Sequence, residues 1–591
     1  MNKYTSFATA IILVSLVLAI SSFWNDSLIV DEIPHVGSGY GYVEKLDYRL
    51  NPEHPPLAKA LAATPLLFLD LKQDAFQTRF WLTDINGQWD FGRFLIFQSG
   101  NNADLITRAV KFPILIFFVL AAVLMYKWAS KLYGKSAGLI ALTLFSFSPT
   151  ILAHSRFVTT DVPALFGVLL ATYFFINYLR TPITKNLWLA GIAFGIAILT
   201  KFSTFLLAPY FLILALVFGA IKKSAIRHSL YAICIFIIGF VLIVWPVYYV
   251  FTFNYPPERQ AADTHFLLGS FGNRTLAGIV EWLADKPLIR ALGQYGLGLL
   301  MVGQRAVGGN TTYFLGEVSS EGWRYYFPVV YALKEPLAWW ALVIISLLFI
   351  AWQIKLKNIS RFMFYVSGFI KNHLVEFAML LWLAIYWATS INSNLNIGVR
   401  HLLPTYPFAI ILVAGQITRI YQKLKIKYQN DKSKIKYLIF NILFFILMFS
   451  YIYENIKVWP YYLTYFNQLA GGPSGGYRYV VDSNLDWGQD LKRLSQWVEK
   501  NNIQAIHLDY FGWSDPVYYL GTKFKWLTVE QYKNAQDFIN KTGGGYIGVS
   551  ATFFMGSRGV RQLADEKSYA WLQRYEPVAI IGNSIWVWEL R

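Results

Sequence analysis

Asp31 and Glu32 stand side by side a few residues after a long apolar run that ends near residue 24. Ionised carboxylates beside such a run are costly unless solvated or paired, so their placement points to function as readily as to an ordinary loop. Glu53-His54-Pro55-Pro56-Leu57 follows in the same segment. Its two prolines fix the backbone and suit a helix start. That start would aim Glu53 and His54 at whatever sits above the helix N terminus, where a phosphate is also favoured; a plain proline-capped helix is the simpler alternative. Asp161 lies in a brief link near His154 and Arg156, Lys201 in the turn Leu199-Thr200-Lys201-Phe202-Ser203, and Arg400-His401 opens another apolar run. Taken singly, each cation could snorkel to lipid headgroups. Three separate links that bring cations to one face point instead to a pocket for an anionic head group. Asp31, Glu32, Glu53, His54 and Asp161 are also ligand types suited to several divalent ions, so a metal is a second use for the same residues.

These residues share a face only if the segments between them cross a bilayer. Of the 591 residues 55% are hydrophobic and 15% charged, where a soluble chain would carry nearer a quarter charged. Apolar stretches of spanning length fall near 6–24, 112–126, 137–153, 162–179, 187–200, 203–220, 229–251, 337–354, 374–390, 401–418 and 437–455. The reading is a polytopic α-helical membrane protein of about eleven spans. A cleaved leader is the alternative for the first run, since Lys3 precedes it and Ala19, Ser21 and Ser22 are small. The net charge of +18 resides in short links, which turns the argument from nucleic acid to topology. Lys127, Lys131 and Lys135, then Arg180 and Lys185, then Lys222, Lys223 and Arg227 occupy alternate links. Lys355, Lys357, Arg361 and Lys371 follow, and then Arg419, Lys423, Lys425, Lys427, Lys432, Lys434 and Lys436. Basic links on one side put the N terminus in the cytoplasm and residues 456–591 outside. The single cysteine, Cys234, permits no intrachain disulfide.

A membrane module, 1–455, would thus carry external loops at 25–111 and 252–336, followed by an extracytoplasmic domain at 456–591. Ala60, Leu61, Leu66 and Leu67 after Pro56 suggest an interfacial helix in the first loop. The terminal domain alternates strand-like stretches at 479–482, 505–510, 546–550 and 580–589 with a helix near 489–500, and reads as a small α/β unit.

Asp31-Glu32, Glu53-His54-Pro55-Pro56-Leu57, Asp161, Thr200-Lys201 and Gly398-Val399-Arg400-His401-Leu402-Leu403-Pro404 together resemble the protein O-mannosyltransferase family. More broadly they are similar to the polyprenyl-phosphate-sugar-dependent transferases of the GT-C fold, which include the aminoarabinose transferase of lipid A. The resemblance covers about residues 1–455. The tail segment Asp482-Ser483-Asn484-Leu485-Asp486-Trp487-Gly488-Gln489-Asp490 looks like tails of bacterial carrier-dependent members, not like the β-trefoil of eukaryotic protein mannosyltransferases. The resemblance implies an inverting transfer of a monosaccharide from a polyprenyl-phosphate carrier to the hydroxyl of a lipid, glycan or protein, at the external face of a bacterial plasma membrane. In it Asp31 takes the acceptor proton, Glu32 helps hold acceptor or base, and Asp161 orients sugar or acceptor. Lys201, Arg400 and His54 stabilise the leaving phosphate, with Glu53 and His401 also at the donor site. The donor is a lipid-phosphate-linked sugar, and no obligatory metal is implied.

Two other readings compete. A transporter or flippase would place ionisable groups near the midplane and often shows internal repeats; here the charges sit at span ends and no repeat is visible. An oligosaccharyltransferase is closer, since Leu485-Asp486-Trp487-Gly488 is faintly similar to its Trp-Trp-Asp motif, with the order of Asp and Trp reversed and the second Trp absent.

Overall fold

The computed structural model describes residues 3–353, 368–427, 434–559 and 567–591. All eleven expected spans correspond to helices. Eight are long and apolar enough to cross a membrane: Lys3–Phe23, Ala103–Tyr133, Asp161–Arg180, Phe202–Ile221, Ala225–Phe251, Leu374–Ile391, Val399–Ile426 and Lys434–Val458. Two are bent pairs, Lys135–Ser146 with Pro149–Ser155 at 63° and Tyr326–Lys334 with Leu337–Gln353 at 110°. Pro149 and Pro336 stand at the breaks, where the missing N–H and the restricted preceding residue end a helix. The remaining one, Thr184–Ile198, has fifteen residues. Lys434–Val458 combines a mean hydropathy of 2.0 with little internal packing: only 11% of its apolar window is buried, so its outer face is made for lipid. The chain is a multi-pass membrane protein.

Three sequence expectations need adjustment. The second span begins at Ala103, nine residues before its apolar run, because Asp104 and Lys111 in its first turns pair with Lys492 and Glu32 and so tolerate burial. The stretch 479–482 forms no strand of the sheet; it makes an isolated bridge from Val480 to Phe314 beside short turns. The stretch 580–589 divides into two strands at a tight turn through Asn583, whose φ of 62° suits an asparagine. Lys355, Lys357, Arg361 and Lys432 lie outside the described residues.

The first loop is mostly structured, with helices Glu32–Lys45 and Pro56–Ala63, the latter continuing as a 3-10 turn to Phe68. A hairpin in the second loop pairs β1 (Thr312–Phe314) with β2 (Glu317–Ser319). The tail holds helix Leu491–Lys500 and five strands: β3 (Ile506–Asp509), β4 (Phe524–Trp526), β5 (Gly545–Ser550), β6 (Ala579–Ile581) and β7 (Ile585–Leu590). Their order is β4-β3-β5-β7-β6, parallel across β4, β3 and β5 and antiparallel beyond. One face of this sheet joins a hydrophobic core that runs without interruption into the membrane helices, through Trp487, Val549 and Trp586.

Candidate active site

Four charged side chains from four separate links converge. Asp31 caps helix Glu32–Lys45 without using its side chain on the helix; its Oδ2 instead accepts from Arg400 Nη1 at 2.9 Å. The same Nη1 lies 3.5 Å from Asp161 Oδ2. Asp161 Oδ1 accepts from Lys201 Nζ at 2.6 Å. The backbone explains the aim of each. Asp161 opens its helix, where a carboxylate suits the positive end of the dipole. Lys201 is an extended residue between helix Thr184–Ile198 and a 3-10 turn. Arg400 sits in the 3-10 turn Val399–Thr405, which contains Pro404 and so cannot continue as regular helix through that residue.

Burial sorts the roles. The Asp161 side chain is fully buried and those of Arg400 and Lys201 are 9% and 11% exposed, while Asp31 retains 25%. Asp31 is thus the carboxylate of the four that an incoming group can reach. Arg400 uses Nη1 on the two aspartates and Nε on Ser483 Oγ, 3.2 Å away. Among the described residues its Nη2 and the other protons of Lys201 take no hydrogen-bond partner and remain as donors for an anion.

The tail completes the site, and sequence reasoning missed this. The Trp487 ring packs 4.1 Å from the Arg400 guanidinium carbon, a cation–π contact that also fixes the fork. Val30 N–H donates to Trp487 O at 2.9 Å and Ser27 N–H to Gln489 O at 3.0 Å, so the segment carrying Asp31 is hydrogen-bonded to the tail. Asn484 Oδ1 accepts from Val399 N–H at 2.9 Å, and Lys334 Nζ donates to Asn484 O at 2.7 Å. Gly398 is needed where these meet, since a Cβ there would stand 2.3 Å from Ser483 Oγ. The signal was present in the sequence as the Asp/Trp-rich segment 482–490, but nothing local says which membrane residue it covers.

The other candidates divide. The His54 ring meets His35 edge-on at 5.0 Å, and His35 Nδ1 lies 2.7 Å from Val158 O. Buried Lys59 holds the loop by donating to Tyr42 OH, Asn51 Oδ1 and the carbonyls of Asn51 and His54. Burial, reinforced by His35, Lys59, Lys201 and Arg305, holds His54 well below the usual histidine range. This disfavours the charged ring, so a hydrogen-bonding part suits His54 better than a fixed positive charge. His401 stands beside Arg400 with a buried Nε2 that has no hydrogen-bond partner among the described residues. Glu53 takes hydrogen bonds from Gln88 Nε2 at 2.5 Å and Asn86 Nδ2 at 3.3 Å. Glu32 points away from the cluster: it is fully buried against Lys111 at 3.1 Å and accepts from Ile29 and Val158 N–H at 2.9 and 2.8 Å. Burial raises its carboxyl against the opposing pull of Lys111. Arg305, exposed on the helix Arg290–Gly308, is a further cation whose field reaches His54, His401 and Asp482. Among the described residues no three His, Cys, Asp or Glu side chains gather as metal ligands; Asp31 and Asp161 are each engaged by a cation instead.

This architecture, a multi-pass helical module with interfacial helices and an appended sheet, is the GT-C glycosyltransferase fold. The archaeal oligosaccharyltransferase AglB from Archaeoglobus fulgidus, in complex with an inhibitory peptide and a dolichol-phosphate, is similar over 98% of this chain and 72% of its own, at 13% identity and a TM-score of 0.51. ArnT from Cupriavidus metallidurans bound to undecaprenyl phosphate aligns over 99% of this chain and 98% of its own, at 10% identity and a TM-score of 0.44. Within this fold, residues 103–249 match the family model of dolichyl-phosphate-mannose-protein mannosyltransferases. No curated protein sequence matches the chain.

Proposed function

We propose that the chain transfers a monosaccharide from a polyprenyl-phosphate carrier to an acceptor hydroxyl, with inversion, at the external face of a bacterial plasma membrane. The observation that carries this reading is the array Asp31–Arg400–Asp161–Lys201, which sets an accessible carboxylate beside two cations that keep free donors. In the proposed step the acceptor oxygen attacks the anomeric carbon while its proton passes to Asp31. The bond from that carbon to the phosphate oxygen breaks, and its electron pair leaves with the phosphate. Arg400 and Lys201 stabilise the charge that builds there. Asp161 holds both cations in place, and Glu32 acts as a positioning residue by tying the Asp31 turn to Val158. Residues 1–455 form the catalytic module, and 456–591 are an external domain that closes one wall of the site with Trp487.

The test is to supply labelled polyprenyl-phosphate sugars to the purified full chain, with and without candidate lipid, glycan and peptide acceptors. Transfer of label from carrier to acceptor is the expected result; label that stays on its carrier with every acceptor would count against the reading. A second reading, oligosaccharide transfer to a peptide, is favoured by the overall fit to the archaeal enzyme. It predicts that oligosaccharide-bearing carriers are consumed and monosaccharide carriers are not.

A further inference from the structure

We infer that the end of the molecule away from the Asp31–Arg400 cluster carries a binding site for an anionic phospholipid, in the link between helices Phe202–Ile221 and Ala225–Phe251. The first of these helices starts beside Lys201 and, at 1.5 Å or more per residue, carries the chain roughly 30 Å, so the link lies at the opposite end of the helical bundle. It bears Lys222, Lys223 and Arg227. An open cavity of about 800 Å³ lies there, lined by Lys223, Ser224 and Arg227 together with Ile226, Leu230 and Cys234.

Three observations make this a site rather than a scatter of basic residues. First, Lys223 and Arg227 are exposed and have no carboxylate within 4.0 Å among the described residues. Their charge is therefore available to a ligand. Second, the cations at the turn are followed along the same helix by an apolar wall, with Ile226 lying among the cations. The cations and Ser224 lie at the turn, and Leu230 and Cys234 lie one and two helical turns beyond Arg227. A phosphodiester at the turn would place an acyl chain along those residues. Third, the link is tight and holds a lysine where a glycine would be at ease. Lys223 has φ +55°, a left-handed conformation that most side chains avoid. A Cβ on Gly219 would stand 2.7 Å from Ala225 Cα, so the two helix ends are in close contact. The backbone that carries Lys223 is thus held at a tight corner. Anionic headgroups are attracted to such clusters, and the apolar wall selects a lipid over a free anion. The inference is independent of the transfer reaction proposed above.

Cys234 is the one cysteine of the chain, it is exposed, and it lines the cavity. It therefore reports occupancy without any engineered label. The full chain in detergent micelles is treated with a fluorescent maleimide while phosphatidylglycerol, phosphatidylcholine or inorganic phosphate is titrated in. Phosphatidylglycerol should slow labelling of Cys234 saturably; phosphatidylcholine and phosphate should not. The double variant Lys223→Gln, Arg227→Gln should raise the half-protecting phosphatidylglycerol concentration roughly 25-fold, taking about five-fold per cation. The charge-conserving pair Lys223→Arg, Arg227→Lys should retain protection, protection being scored against each variant's own lipid-free labelling rate, and an unchanged thermal midpoint and size-exclusion profile check that each variant is folded. If the glutamine pair does not fold, the lipid selectivity of the unaltered chain decides by itself. Equal protection by phosphatidylcholine, protection by phosphate alone, or an undiminished effect in the folded glutamine variant would overturn the inference.

Discussion

Asp31 combines 25% exposure with a fixed direction set by Arg400, which is what a proton acceptor at a lipid–water boundary requires. Asp31→Asn keeps the shape and the contact to Arg400 and removes the charge. Turnover should fall by roughly 10²-fold or more while carrier binding persists; near-normal turnover in a folded variant would exclude the role. Glu32→Gln, by contrast, leaves Lys111 buried without its counter-charge, so its main effect should be a lowered Tm. Lys201 and Arg400 meet on Asp161, and replacing either by Ala should weaken binding of polyprenyl phosphate itself. Charge-assisted contacts of about 1.5–3 kcal/mol correspond to roughly ten- to a hundred-fold in affinity. Lys201→Arg should not restore it, because a planar fork replaces a compact ammonium. A direct titration decides, and unchanged affinity in both alanine variants would end the phosphate assignment. Asp486 offers a test by pH. Burial pushes its carboxyl from 3.8 up to about 8, so between those values the folded chain holds a proton that the unfolded chain has released. Stability from this group therefore falls as pH rises across that window. Asp486→Asn keeps the acceptor for Thr552 N–H and cannot ionise. It should raise Tm near pH 8 and flatten the loss on going from about pH 5 to about pH 8; an unaltered slope would refute this.

At the scale of elements, the site depends on how firmly the tail is held to the membrane helices. Asp26, just after the first helix, pairs with Arg156 and, at 2.6 Å, with Arg493 on helix Leu491–Lys500. Arg493 also reaches Asp490 at 2.5 Å, and Ser584 Oγ donates to Asp490 at 2.7 Å. All four charged groups are buried or nearly so. Breaking one member of a buried charge network leaves the others uncompensated, at a cost of about 3–5 kcal/mol. Arg493→Ala should accordingly lower the thermal midpoint and make the tail more open to proteolysis than the helices. Because Trp487 and Ser483 arrive on the same segment, activity should fall in step with that loosening. Loss of stability without faster cleavage of the tail would show that the network braces something else.

For the whole molecule, the array of Asp31, Asp161, Lys201 and Arg400 lies at one end of the helices and the basic links are expected at the other. The basic links predict a cytoplasmic N terminus and 421–436 link, and hence an extracytoplasmic tail. A reporter fused after Arg591 should score as external. A cytoplasmic score would reverse the orientation and, with it, the face on which transfer is proposed. The outward apolar faces of Ala225–Phe251 and Lys434–Val458, with 22% and 11% of their windows buried, mark surfaces that lipid covers in either orientation.

The sequence by itself determined the membrane class and the existence of the eleven helices, because length and hydropathy are local properties that a bilayer reads directly. It also marked Asp31, Asp161, Lys201 and Arg400, since a charge at the end of an apolar run is conspicuous wherever the chain later goes. It overlooked helix Glu32–Lys45, whose glycine-rich sequence is a poor helix former and is stabilised by close packing of Gly37 on the Gly92 backbone and of Gly39 on the Lys59 backbone. Only the tertiary structure decided that Glu32 serves Lys111 while its neighbour Asp31 serves Arg400, for adjacent residues at a helix start point in different directions. It alone showed that burial, with basic neighbours as distant in sequence as Lys201 and Arg305, disfavours the charged form of His54. And it alone brought Trp487 onto Arg400, a contact between residues far apart in sequence that is fixed by packing of the tail and has no local signature.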